Sequence, residues 1–374
     1  MAAEGIPIFH PGLARELEAF DPEILHVHHA PCLYFLGGLE LRAAVVYSSL
    51  GWVPALEAPP LIWPGVGRVL AVSEEVRDAN ADSAFGKAFD VRIFRNWFDD
   101  EGMERRAPVT RPGALRRWAV VSNHLSPTIA QQLQALEEKV PGFSWVHLGA
   151  PHNSVPITPE ILGSFDGVIT IGRTALLAGA LGKPCLLYDV HGSDGLLTLE
   201  RVPELATRNF SGRLSRRWPD LEQLMSLLFE EAAAVDLEAV QDLMWRDYSL
   251  SRRRADLEAL YADLQKEGIR LDAASRRSYG RAGVAHSDAL AVISRSRDRE
   301  SAEARRQAEE SLKRVNQLTR ELTELQDRYN EIVSSLAWRA IEQLRALKDR
   351  SLPHQSARRR LYEWTLNQLK SGLG

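Results

Sequence analysis

Residues 167–195 read GVITIGRTALLAGALGKPCLLYDVHGSDG. The apolar run at 167–171 predicts a buried strand, the stretch from Arg173 to Leu181 predicts a helix, and the run from Pro184 to Tyr188 predicts another strand. A strand, a helix and a strand in this order form a βαβ unit of a parallel sheet. The stretch therefore predicts an α/β fold, in which ligands bind beyond the carboxyl ends of the strands.

The same alternation extends towards the N-terminus and predicts two α/β domains. Strands are predicted at 23–28, 43–47, 68–72, 91–94, 118–122 and 144–148. The polar residues 101–116 contain two prolines and two glycines and are interpreted as a linker. We therefore expect a Rossmann-like domain at 1–100, a second at 117–235, and a ligand cleft between them.

No strand pattern follows residue 236. We expect a helical segment over 236–295, weakly patterned from residue 270 onwards, and a coiled coil over 296–350. The coiled coil is predicted because apolar residues recur in alternating steps of three and four. These residues are Val315, Leu318, Leu322, Leu325, Tyr329, Ile332 and Leu336. A long helix packed on the chain's own globular part stays open as an alternative.

The last residues, 351–374, form a basic amphipathic tail. Residues 251–374 contain 25 Lys and Arg against 18 Asp and Glu, whereas residues 1–100 contain 7 against 14. A basic amphipathic end suits an anionic membrane surface, and a solvated helix face would have the same composition. Both interpretations stay open, and a peripheral contact with the inner membrane face is part of the first.

Composition excludes several classes of protein. The 374 residues are 45% hydrophobic and 26% charged with a net charge of −4, which is ordinary for a globular protein and argues against nucleic-acid binding. Only Cys32 and Cys185 are present, which suggests a reducing compartment and a cytoplasmic location. No apolar run reaches the ~18 residues of a membrane span. P-loop, nucleophile-elbow and Asp-x-Asp patterns are absent from the sequence.

The strand-to-helix turn at 171–175 is the best candidate for a phosphate site. Gly172 permits close approach of the backbone, the helix N-terminus offers N–H groups, Arg173 adds a positive fork and Thr174 a hydroxyl. A glycine required for packing and an arginine that caps a neighbouring helix are the alternative. Beyond the next strand, polar groups suited to sugar hydroxyls follow at Asp189, His191, Gly192 and Asp194.

Histidines mark the end of the first strand of the N-terminal domain. His26 and His28 share one face of an extended chain and could form a metal pair, but no third ligand is evident. We therefore expect no metal. His28 or His29 could contact a phosphate or an acceptor at the cleft, and a hydrogen-bonded histidine at a strand end is the alternative.

Six segments together resemble one family. They are DPEILHVHH at 21–29, VLAVSEEVR at 69–77, IFRNWFD at 93–99, ITIGRTALLAGALGKPCLLYDVHGSD at 169–194, the helix at 249–264, and SSLAWR at 334–339. In this order they resemble the two-domain (GT-B) nucleotide-sugar glycosyltransferases of bacterial families 4 and 1. The resemblance implies transfer of a sugar to a surface polysaccharide or glycoconjugate, with a glycan or lipid-linked acceptor.

The resemblance also assigns roles. Gly172, Arg173 and Thr174 would face the donor diphosphate, and Asn123, Asp189, His191, Gly192 and Asp194 the donor sugar or nucleotide. His29, Ser48 and Asn96 would lie on the acceptor side, and His28 and Asp194 are the candidate catalytic groups. No cofactor is implied beyond the nucleotide-sugar co-substrate. The coiled coil would form a homo-oligomer or bind a partner protein.

The sequence departs from the family at defined positions. Leu177 stands where a glutamate holds the donor, Ser48 or Ser49 where a histidine is common, and Trp97 where the family has a small residue. The first domain is also short. An active transferase and a non-catalytic relative that recruits other enzymes through its coiled coil therefore both stay open, as does a structural coiled-coil protein with an α/β head.

Overall fold

The structure is mixed α/β, which confirms the predicted class. It is a computed structural model that describes residues 14–37, 39, 41, 43–52, 57–63, 65–108, 115–150, 153–267, 273–334 and 336–371. The chain forms two compact units, residues 1–294 and 295–374. Both sheets lie in the first unit. The finer division into six segments, the GT-B arrangement and the coiled coil stay predictions.

The first sheet has four parallel strands in the order β1–β2–β3–β4. Its elements are α1 (Ala14–Phe20), β1 (Ile24–His28), α2 (Ala30–Gly37), β2 (Ala44–Ser49), β3 (Val66–Ala71), α3 (Glu74–Ala81), α4 (Ala84–Ala88) and β4 (Val91–Ile93). Strand β2 is buried along its whole length because it lies between two neighbours. Helix α3 begins where the Ser73 hydroxyl accepts a bond from the Val76 N–H, which makes Ser73 the N-cap of the helix.

The second sheet has five strands in the order β6–β5–β7–β8–β9. Its elements are β5 (Arg117–Val121), α5 (Pro127–Lys139), β6 (Ser144–Leu148), α6 (Pro159–Gly163), β7 (Gly167–Thr170), α7 (Arg173–Ala180), β8 (Cys185–Asp189), β9 (Gly192–Leu196), α8 (Val202–Ala206) and α9 (Leu221–Met225). Because β6 and β7 flank β5 on opposite sides, the chain reverses its direction across the sheet between β5 and β7. Such a reversal opens a crevice at the carboxyl ends of those two strands.

Strand β9 is not among the predicted strands, because only polar groups and glycines are noted beyond the strand that ends at Tyr188. Residues 192–196 pair antiparallel with β8, and Ser193 also exchanges backbone hydrogen bonds with Arg217. Gly192, the first residue of this short strand, has a φ angle of 104°, which lets the chain reverse tightly after β8, and Gly195 within the strand has a φ angle of 78°.

Two further helices follow the second sheet and return to the first. Helix α10 (Leu237–Tyr248) packs on α7, and Phe98 then exchanges backbone bonds with Tyr248 and Leu250. Helix α11 (Leu250–Glu267), which lies in the predicted helical segment and covers most of the helix named at 249–264, buries Leu264 against the first sheet. The two sheets are therefore joined by the segment after β4 and again at residues 248–250.

Helix α12 (Ala273–Ser334) begins in the first unit. The described residues 273–294 of this helix fall in the segment that the sequence is expected to make helical, and some of them contact the first sheet. Tyr279 stacks on Trp63 at 5.2 Å between ring centroids, and its hydroxyl donates to the Leu61 carbonyl at 2.7 Å. Gly283 faces Tyr34 so closely that any side chain there would meet the ring.

The second unit contains the rest of α12, helix α13 (Leu336–Ser351) and helix α14 (Ala357–Ser371). Arg359 is the middle one of three consecutive arginines in α14. It forms ion pairs with Asp349 of α13 and Glu363 of α14, so it links the last two helices. Among the residues that the structure describes, no helix is long and apolar enough to cross a membrane.

Candidate functional site

Polar residues at the ends of three strands lie at the crevice between β5 and β7. The Ser122 hydroxyl, after β5, donates to the Asp189 carboxylate at the end of β8 at 2.9 Å. Thr170, at the end of β7, donates to the Val121 carbonyl at 2.9 Å. The exposed Asn123 continues this edge and accepts a bond from the Ala150 N–H at 3.1 Å. The predicted donor-side residues Asn123 and Asp189 therefore share one edge of the second sheet.

Asp189 is the buried carboxylate of this edge. Only 6% of the residue is exposed, and burial raises the pKa of Asp189 although Val190 N–H and Ser122 donate to it. His191, two residues on, is exposed at the surface. The protein nevertheless surrounds part of the ring. This partial burial and the nearby Arg213 lower the pKa of His191, so the ring is neutral at pH 7. A neutral ring can both donate and accept hydrogen bonds, as sugar hydroxyls require.

Helix α7 begins at the same edge with an unusual backbone. Gly172 has φ 63° and ψ −134°, a conformation that only glycine adopts readily, and its N–H donates to the Phe210 carbonyl at 2.7 Å. Arg173 is exposed and directs its Nε–H to the Trp97 carbonyl at 2.9 Å. The predicted diphosphate residues therefore lie where the segment after β4 meets the second sheet.

A surface cavity of about 480 Å³ adjoins this helix start and is lined in part by Arg173, Thr174 and Leu177. Leu177 also packs against the apolar core of the second sheet. At this position the side chain offers no hydrogen-bonding group, and the part of the cavity wall that it forms is apolar.

Two arginines after α8 are not among the predicted site residues. Arg208 and Arg213 donate to the two carboxylate oxygens of Glu75 at 2.8 and 2.6 Å. The Glu75 side chain, at the start of α3 in the first sheet, is only 3% exposed. The Nε of Arg213 has no hydrogen-bond partner within the described residues. No local pattern reveals this cluster because its partners lie more than 130 residues apart in the chain.

Asn96 and the neighbouring Arg95 join the same region. The Asn96 amide donates to the Asn209 side chain at 3.1 Å, and Arg95 donates to the Ala206 carbonyl at 2.9 Å. The carboxyl edge of the first sheet therefore faces the loop that follows α8 and the start of α7. The contact between the two sheets is therefore polar, with Arg208 and Arg213 on the side of the second sheet and Glu75 and Arg95 on the side of the first.

Asp194, proposed as a catalytic group and a sugar ligand, lies elsewhere. The residue is 2% exposed, and its carboxylate accepts bonds from the Leu214 N–H at 3.2 Å and the Ser215 N–H at 2.7 Å. These bonds hold the loop at 214–215 against β9. The role that the structure gives Asp194 is to shape this loop, because its carboxylate is buried and its oxygens bind the backbone.

His28 and Ser48 lie on neighbouring strands of the first sheet. They are register partners of β1 and β2, and Ser49 pairs with Ala71 of β3, so the three strand ends share one edge. With ~4.8 Å between adjacent strands, His28 lies about 10 Å from the end of β3, which leads into α3 and Glu75. The candidate catalytic group His28 and the predicted acceptor-side residue Ser48 therefore share an edge with β3, the strand that leads into Glu75.

The Ser48 hydroxyl is hydrogen-bonded to the ring of His26. The His26 ring lies 2.6 Å from the Ser48 Oγ through Nε2 and 2.6 Å from the Tyr261 Oη through Nδ1. Burial and His28, which stacks on the ring at 4.9 Å, lower the pKa of His26 to about 4. The neutral ring therefore binds α11 to the edge of the first sheet, and Ser48 is engaged in this network.

His29 is positioned differently from His28. Its φ angle is 70°, and Nδ1 lies 2.8 Å from Oε1 of Glu57. The second oxygen of Glu57 and the hydroxyl of Tyr47 are buried without hydrogen-bond partners in the part of the chain that the structure describes. The 2.8 Å distance places this carboxylate beside the ring, and Nδ1 of His29 makes no hydrogen bond of good geometry within the described residues. Glu57 is not among the residues that the sequence analysis assigns to the site.

Groups of three or more His, Cys, Asp or Glu side chains suited to a metal ion are not found among the described residues.

The chain matches no protein-family model and no curated protein. Among solved structures it is similar to a chain of the crystal structure of the GtfA/B complex, with 11% sequence identity and a TM-score of 0.42. The similarity covers 68% of this chain and 60% of that chain, so this protein spans less than two thirds of its neighbour's length.

Proposed function

We propose that the protein transfers a sugar from a nucleotide-sugar donor to a polysaccharide or glycoconjugate acceptor. The observation that supports this proposal is that Asp189 ends β8 while Gly172 and Arg173 follow β7 at the start of α7, so these residues belong to one edge of the second sheet. The family resemblance assigns the donor to the same residues. Arg173 and the start of α7 would stabilise the negative charge that develops on the leaving diphosphate.

The cluster after α8 extends this proposed donor site. Arg213 lies near His191 and has an unpartnered Nε, and Arg208 is nearly half exposed. Guanidinium groups bind phosphate oxygens through paired N–H groups, so both arginines are suited to the diphosphate side of a donor. Glu75 would hold them in place.

The proposed general base is one of the two histidines at the end of β1. His28 is the more exposed of the two residues. The protein that surrounds part of its ring is the main cause that lowers the pKa of His28, and the neighbouring His29 is the second cause. His29 has the carboxylate partner that a catalytic histidine commonly uses, Glu57. We place His29 first for this reason and keep His28 as the alternative.

The second candidate function is a non-catalytic relative that recruits or oligomerises other proteins. Leu177 favours it, because this side chain packs in the apolar core and lines the cavity beside Arg173 and Thr174. In the family that the sequence resembles, a glutamate at this position binds the donor.

A nucleotide-binding measurement separates the two functions. Calorimetry with UDP, GDP, CDP, ADP and TDP, and with their sugars, should show selective binding of one nucleotide by the wild type. Arg173→Ala should lose that binding, and Arg92→Ala, at an exposed position in β4, should retain it. A ligand at 100 times its Kd should also add about 2.7 kcal/mol to the free energy of unfolding. Binding of no nucleotide would exclude the transferase and favour the recruiting protein.

A further inference from the structure

The second unit exposes an apolar stripe on helix α12. Its members are 48% to 68% exposed and recur in steps of four and three: Leu318, Leu322, Leu325, Tyr329 and Ile332. A folded chain rarely leaves a contiguous row of large apolar side chains in water unless another surface covers it. Spacing of this kind suits a helix that packs along its length on a second helix.

We propose that the stripe is the interface of an antiparallel, two-stranded coiled coil between two copies of this chain. Leu322 and Tyr329 take the a positions of the heptad, and Leu318, Leu325 and Ile332 the d positions. The inference concerns the second unit alone and does not depend on the proposed enzymatic activity.

The charged residues beside the stripe indicate that its partner is a second copy of this chain and that the two helices run in opposite directions. Glu321 and Arg328 both occupy g positions, which flank the seam. In an antiparallel pair, g positions face g positions, so Leu322 can lie against Leu325 of the second copy while Glu321 faces Arg328. The twofold axis repeats this contact, which gives two ion pairs of opposite charge.

A parallel pair lacks these contacts. There, each g position faces the e position of the next heptad, so Glu321 would face Gln326 and Arg328 would face Val333. Neither is an ion pair. The stretch from 318 to 332 is thus complementary to itself only when the two helices run in opposite directions.

Sedimentation equilibrium on the full-length protein tests the association. We expect a mass that rises with concentration to that of two chains. Leu325→Glu should weaken the association at least 100-fold, because it buries a carboxylate in the seam. Asp327→Lys, at the outward-facing f position, is the control and should leave the mass unchanged. A wild type that is monomeric throughout, or that forms three-chain assemblies, would overturn the proposal.

Charge exchange tests the direction. Glu321→Arg and Arg328→Glu should each weaken the dimer by about tenfold, since each replaces two attractive contacts with two repulsive ones. The double variant should recover the wild-type affinity. Two single effects that simply add in the double variant would contradict the antiparallel arrangement.

Cysteine cross-linking gives an independent answer, in a Cys32→Ser background. A mixture of Leu318→Cys and Tyr329→Cys chains should form a disulfide between the two variants, because these positions share a layer of the antiparallel pair. Leu318→Cys alone should not cross-link to itself. Efficient self-linkage of that single variant would show that the helices are parallel.

Discussion

Arg213 donates a 2.6 Å hydrogen bond to the buried carboxylate of Glu75, across the crevice between the two sheets. Arg208 binds the other carboxylate oxygen at 2.8 Å. Burial opposes ionisation of Glu75, but the hydrogen bonds from Arg213 and Arg208 outweigh it and hold the pKa of Glu75 below its ordinary value. The carboxylate is therefore charged at neutral pH, and it connects the α3 end of the first sheet to the loop after α8.

Glu75→Gln should lower the free energy of unfolding by about 2 kcal/mol. A buried ion pair that loses one partner typically costs about 3–5 kcal/mol, and the exposure of Arg208 to solvent reduces that figure here. Urea denaturation at pH 7 measures the change. Glu138→Gln on the exposed face of α5 is the matched control and should change stability by less than about 0.5 kcal/mol. Equal effects of the two substitutions would show that the Glu75 cluster contributes little to stability.

Gly172→Ala should destabilise the protein by about 2 kcal/mol and weaken nucleotide binding. The expected cost comes from the backbone alone, because an added Cβ would meet no atom within 4 Å whereas the φ angle of 63° disfavours any side chain. Thermal unfolding and calorimetry with the nucleotide that binds the wild type measure both effects.

Gly163 provides the control for this prediction. A Cβ at Gly163 would also meet nothing within 4 Å, and its φ angle is not in the positive range. Gly163→Ala should therefore leave stability and binding unchanged or slightly improve stability. Similar losses in the two variants would mean that the conformation at Gly172 is not what matters.

Much of the sheet architecture is predictable because it is local. The strands β7 and β8 follow from two apolar runs, and the helix between them follows from the stretch that Gly172 and Pro184 bound. The cap at Ser73 is likewise a pattern of adjacent residues. Strand β9 escapes prediction because its residues are polar and rich in glycine, and only pairing with β8 and Arg217 makes it a strand.

The polar site is only partly predictable, for the same reason. Residues at strand ends, such as Asp189 and Gly172, are found because strand ends share an edge. Contacts such as Arg213 with Glu75, or Tyr279 with Trp63, join residues far apart in sequence and leave no local pattern. Asp194 follows the predicted edge in sequence, but its carboxylate is buried and binds the backbone of a loop, a contact that no local pattern reveals.

The network around His26 predicts a pH dependence of stability. The pKa of His26 is lowered from 6.5 to about 4 by burial and by His28. Between these values the unfolded chain binds a proton that the folded chain excludes, so stability is complete above pH 6.5 and falls as the pH decreases towards 4. At ~1.4 kcal/mol per pKa unit, and with part of the ring exposed, we expect a loss of about 2 kcal/mol.

His26→Gln should reduce this slope in urea denaturation between pH 6.5 and pH 4. The exposed His354→Gln, in the second unit, should leave it unchanged. A wild-type slope in the His26 variant would assign the pH dependence to other groups.

Leu177→Glu distinguishes a diverged transferase from a protein that has lost its donor site. The side chain lines the cavity beside Arg173 and Thr174, so a carboxylate there could reach a ribose or sugar hydroxyl. One such hydrogen bond should tighten binding of the nucleotide sugar by about tenfold, while the loss of apolar packing lowers stability by about 1–2 kcal/mol. Leu181→Glu, at the other end of the same helix, should lower stability without any gain in affinity. Calorimetry on both variants gives the answer: tighter binding only at position 177 places the donor in this cavity, whereas unchanged affinity at both positions places it elsewhere in the crevice.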